Sequence, residues 1–221
     1  MTGARSAPAM NVLSLSAIAL VIATAAGCAP RDRVDAASFS EPMKTYLAAR
    51  GQLCLAKNVW PIDVTQHEVD VGARNAVQMP VLERLGLVAS SVAEVDVDDE
   101  GTLHHMKVRR FALTEEGSKY YVARVPSASS RDAAKADFCA ASLSLDRVVG
   151  LELKPSQDGR PERAVVTYTY QIDAAPWTSD AEAQKVFPMV AGVVRGAGRA
   201  ELQEAFVRND NGWIAVDLEG T

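Results

Sequence analysis

Between Arg5 and Arg31 the chain carries no charged side chain. The apolar heart of this stretch, Val12 to Ala26, is 15 residues long, where a helical membrane span needs roughly 20. It closes on the small residues Ala25, Ala26 and Gly27, the pattern of the apolar region of an export signal. A chain built this way is expected to fold its remaining residues outside the cytosol.

Cys28 follows at once, and the quartet Ala25-Ala26-Gly27-Cys28 resembles the lipobox of bacterial lipoproteins. The resemblance covers the leader alone, and Ala25 stands where that family favours Leu. It implies a signal peptide over 1–27, acyl chains on Cys28 and on the new amino terminus, and a membrane as partner through that lipid. Each buried methylene contributes about 0.8 kcal/mol, so two or three chains hold firmly where one would let go. Ala29 at the next position, in place of the Asp that retains such proteins at the inner membrane, implies the outer membrane, with the body facing the periplasm.

With Cys28 assigned to lipid, Cys54 and Cys139 remain as an even pair in an oxidising compartment. They are expected to be bridged, the alternative being two buried free thiols; two cysteines alone define no zinc site, and no CxxC is present. The overall charge of −5 becomes −6 once the leader, which holds Arg5 and no acid, is set aside. That balance argues against a phosphate-tracking nucleic-acid binder.

Residues 28–38 are polar and read as a tether. Two parts are expected beyond it, 39–125 and 136–221, giving an α+β chain. In the first, Ser40 is placed to cap a helix with Pro42 in its first turn and Met43, Tyr46, Leu47 and Cys54 on its apolar side, Gly51 interrupts or ends it, and Trp60-Pro61 marks a break. A helical run through Val77, Met79, Leu82 and Leu85 stops at Gly86, with Pro80 either kinking it or starting a new helix. Strands are expected over Leu87–Val97 and Leu103–Leu113, and Thr114 is placed to cap a short helix to Tyr120.

Helix, Leu-Gly-Leu-Val, hairpin and then ALTEEGSKYY, over about residues 65–121, resembles the end of a winged-helix domain. In that family the helix before the wing reads a DNA groove. Here Glu83 accompanies Arg74 and Arg84, and the hairpin carries Glu94, Asp96, Asp98, Asp99 and Glu100, which repel phosphate. Export also removes the chain from the chromosome, so no nucleic-acid partner is expected and the shape, if adopted, is a scaffold.

In the second part, Val148–Leu153 and Ala164–Ile172 read as one hairpin, and Leu202–Val207 with Trp213–Val216 as another across Asn209–Gly212. Between them Ser179 and Glu182 suggest a capping box for a helix that Pro188 bends or divides and that Gly196 and Gly198 end. The reading is an antiparallel sheet with a helix on one face.

The chain holds no GxSxG, HExxH, phosphate-binding glycine loop or dinucleotide fingerprint, and no catalytic, metal or cofactor residue is nominated. His104 and His105 point to opposite faces of a strand, which makes joint chelation awkward. Asp96 to Gly101 has calcium-loop spacing at its start, but Lys107 stands where a bidentate Glu belongs, so a solvated acidic turn is expected. Trp177 and Trp213 read as core anchors, and Glu115-Glu116 as acids suited to a helix start. What remains is a noncatalytic structural or binding module of the envelope, with another envelope protein as partner. The alternative is an immunity protein whose acidic body blocks a delivered toxin.

Overall fold

In this computed structural model the described residues are 34–99, 102–124, 136–157 and 161–219. Helical winding begins earlier than the sequence suggests. Asp35 accepts from the Ser38 amide at 3.1 Å while the Ser38 hydroxyl accepts from the Asp35 amide at 3.3 Å, starting a 3-10 turn, Ala36–Phe39, within the stretch read as tether. Ser40 is therefore the first residue of α1 (Ser40–Arg50), not its cap, and Phe39 before it is buried.

The order continues β1 (Gln52–Cys54), β2 (Ile62–Thr65), α2 (Gln66–Asp70), α3 (Arg74–Arg84), β3 (Val88–Asp99), β4 (Thr102–Leu113), α4 (Glu115–Ser118) and β5 (Tyr121–Ala123). The expected helix, hairpin and short helix are all present. α3 runs through Pro80 as one helix, and Gly86 ends it with φ +74°, the left-handed conformation that glycine adopts without a Cβ penalty. Thr114 caps α4 by accepting from the Gly117 amide at 3.0 Å.

After the break come β6 (Ala136–Lys154), β7 (Arg163–Ala174), α5 (Ala181–Val186), α6 (Pro188–Gly196), β8 (Glu201–Asn209) and β9 (Gly212–Ala215). Pro188 divides the helix into two. The cap expected at Ser179 is displaced by one residue and lacks the reciprocal bond of a capping box: Asp180 accepts from the Glu182 and Ala183 amides at 3.0 and 2.9 Å, and the third helical residue is Ala183. The Ser179 hydroxyl instead donates to the Pro176 carbonyl at 2.7 Å, in a 3-10 turn that occupies the position just before the helix.

The chain is α+β, with two antiparallel sheets among the described residues. The larger has the order β1-β6-β7-β8-β9, with β5 also pairing β6; the smaller is β2-β4-β3. Alternate residues of β7, Ala164, Val166, Tyr168 and Tyr170, turn into a core completed by Phe39, Met43 and Leu47 of the α1 region and by Phe206. A second core joins Val64, Met79, Leu82, Val88 and Phe111 to Phe138, Trp177 and Phe187. Elements before residue 125 and after residue 135 thus contribute to both cores, and Val34–Thr221 form one unit.

Candidate functional site

Cys54 and Cys139 are register partners on β1 and β6 and are joined by a disulfide across 85 positions of sequence. The alternative of two buried thiols is thereby set aside. Cys28 lies outside the described residues.

Beside the disulfide sits a feature that the sequence hides. Lys57 is only 2% exposed, and its ammonium donates to Asn75 Oδ1 on α3 at 2.7 Å. Its amide donates to Asp137 Oδ1 at 2.8 Å; the same carboxylate accepts from the Phe138 amide, and Arg124 approaches it at 3.4 Å. Burial, and then the neighbouring Arg74, push the Lys57 ammonium down to about 8, against the pull of Asp137. A lysine in a polar loop carries no sequence signal of burial, since this residue type is almost never enclosed. Its contacts bind the loop after β1 to α3 and β6.

Trp177 is buried among Tyr120, Phe138 and Phe187, as a core anchor should be. Trp213 packs on Phe39 with ring centroids 4.9 Å apart and lies under the Arg208 guanidinium. Glu115 and Glu116 occupy the first turn of α4, and Glu116 pairs with Lys119 at 2.5 Å. His105 meets Asp96 across the strands at 2.5 Å, both exposed. The side chain of His104 and those of the turn from Asp98 to Gly101 lie outside the described residues. Among the described residues no group of three His, Cys, Asp or Glu is placed to hold a metal ion, and no helix is long and apolar enough to cross a membrane.

A surface groove of about 670 Å³ lies where α2 meets the small sheet. Val64, Val69, Val92 and Val108 supply its apolar lining, with Gln66, Lys107 and Arg109 as its long polar side chains. Thr65 builds one wall by capping α2 reciprocally with Glu68. Arg109 is fixed: it bonds Glu83, donates to the Ser90 hydroxyl at 3.0 Å and lies over the Phe111 ring at 4.9 Å. Val69 is 52% exposed and Val92 79% exposed at its rim, whereas Val64 and Val108 are buried in its floor.

A smaller cleft of about 310 Å³ opens on β6 where β5 gives way to β7. It is lined by Tyr120, Val122, Ala140 and Pro176, with Lys119 and Asp173. The sequence marks neither depression, because the residues of each come from separated elements. No protein family, curated protein or solved structure matches the chain.

Proposed function

We propose that the chain is a lipoprotein of a bacterial envelope, held at the outer membrane by acyl chains on Cys28. Its body faces the periplasm as a noncatalytic binding module, with another envelope protein as partner. The observation that carries this reading is the uncharged run ending in Ala25-Ala26-Gly27-Cys28. The Cys54–Cys139 disulfide supports it, since such bonds persist in oxidising compartments. The groove beside α2 is the surface proposed for the partner. We read α3, β3–β4 and α4 as a winged-helix-like arrangement used there as scaffold, with no nucleic acid involved.

Feeding cells a clickable fatty acid tests the anchor. Label is expected on the native chain and absent from Cys28→Ala, which should leave the membrane fraction; an unlabelled native chain keeping its first methionine would refute it. A photo-crosslinking side chain at Val69 tests the module, with a discrete adduct to an envelope protein expected and no adduct counting against the groove. An adduct to a toxin encoded beside this gene would favour the immunity reading.

A further inference from the structure

We infer that Asn211 is a site of spontaneous backbone modification, at which the Gly212 nitrogen displaces the side-chain amide as ammonia and water then opens the ring to aspartate or isoaspartate. Both residues lie in the turn that joins β8 to β9, where Asn209 and Gly212 are register partners. Ring closure requires the nitrogen of the following residue to reach the asparagine Cγ. Bulk on that residue, prior commitments of the side chain and the freedom of the backbone to turn therefore decide which asparagine reacts.

Of the five asparagines in the chain, Asn11 lies outside the described residues. Asn75 is held in the first turn of α3, with its Oδ1 accepting from the Lys57 ammonium at 2.7 Å. Asn209 is committed as well, its Oδ1 accepting from the Asn211 amide at 2.9 Å. Asn58 is exposed, but the branched Cβ of Val59 crowds the nitrogen that would attack. Asn211 is exposed, its side chain has no hydrogen-bond partner among the described residues, and Gly212 sets no Cβ beside its nitrogen.

The fold adds freedom to open. β9 is four residues long and outermost in the order β1-β6-β7-β8-β9, so in that sheet the turn is held through β8 alone. The end of a short outer hairpin opens locally at low free-energy cost. Gly212 has φ +112°, a conformation that side chains disfavour, so the residue that makes the turn possible also leaves the nitrogen uncrowded.

The step needs no oxidant or reductant. Water or hydroxide takes the Gly212 amide proton, the nitrogen bonds to Asn211 Cγ, and the Cγ–Nδ2 bond breaks with release of ammonia. Water entering at one carbonyl of the cyclic imide restores the ordinary chain as aspartate; at the other it routes the chain through Cγ as isoaspartate, adding a backbone atom. Either product adds a negative charge beside Asp210, and isoaspartate disturbs the register that sets Trp213 opposite Arg208. The inference depends neither on acylation of Cys28 nor on the groove beside α2.

Incubating the purified full chain in mildly alkaline buffer made with heavy-oxygen water, then digesting it in ordinary water and mapping the peptides by mass, tests the inference. The fragment holding Asn211 is expected to exchange its amide NH2 for a heavy-oxygen hydroxyl and to separate into aspartate and isoaspartate forms, told apart by backbone fragmentation. Conversion there should outpace that at Asn58 and at Asn75 in the same sample by at least about tenfold. Asn211→Gln, which would have to close a larger ring, should leave the fragment unconverted. No mass change at Asn211, a rate there no greater than at Asn58, or aspartate formed without isoaspartate, the mark of direct hydrolysis, would each overturn it.

Discussion

Replacing Cys54 and Cys139 together by alanine should remove most of the reserve that keeps this body folded. The bond closes a loop of 85 positions, and in the chain-entropy treatment a loop of that length restricts the unfolded ensemble by about 4.5 kcal/mol. A domain of this size has only about 5–15 kcal/mol of net stability. Urea unfolding followed by tryptophan fluorescence is a suitable assay, because Trp177 is buried and Trp213 half-buried. With a slope of about 2 kcal/mol/M, the midpoint should fall by about 2 M. The slope itself should rise, since an uncrosslinked unfolded chain exposes more surface. Adding reductant to the native chain should reproduce the same fall; the substitution alone also removes packing at Cys139, so agreement of the two isolates the loop contribution. A midpoint within about 0.3 M of the native value, at equal slope, would refute the reasoning.

Other consequences are as specific. A Cβ on Gly117 would stand 1.8 Å from the Leu87 carbonyl oxygen, so Gly117→Ala should lower stability by about 2–4 kcal/mol despite alanine's helix advantage of about 1 kcal/mol; a raised melting temperature would contradict this. Because the Lys57 ammonium titrates near 8 when folded and at its ordinary value when unfolded, the unfolded chain binds more protons between those values, and stability should rise with pH above about 8. The difference between native chain and Lys57→Met, measured at pH 7.5 and 9.5, isolates that rise at about 1–2 kcal/mol; identical slopes would exclude it. Tyr168, pushed up to about 12 by burial first and then by Glu204, contributes the opposite dependence only above pH 10. Asp180→Ala should cost about 1–2 kcal/mol, through two lost cap bonds and the Arg84 pair, while Ser179→Ala should cost well under 1 kcal/mol by chemical denaturation; the reverse order would restore Ser179 as the cap.

Much of the local structure was legible because it rests on local chemistry. Gly86 and Thr114 stand where the expected helices end and begin, Pro188 separates α5 from α6, and the turn at Asn209–Gly212 joins β8 to β9. Competition between neighbours was harder to read. Ser179 and Asp180 are both good caps, and the choice depended on a 3-10 turn that claims the serine. Of the candidate site, the valines and cations were visible only as scattered residues of strands and helices.

By itself, the sequence determined the uncharged stretch that precedes Cys28 and the strands and helices whose period and caps lie within a few residues, while leaving Cys54 and Cys139 as either a bridge or two buried thiols. Tertiary structure alone decided that Lys57 is enclosed, that α1 packs on strands more than a hundred residues away, and that β3 is left at an edge. The division has a physical basis: turn, cap and period preferences act between near neighbours along the chain, whereas burial and strand order depend on which distant surfaces meet to exclude water.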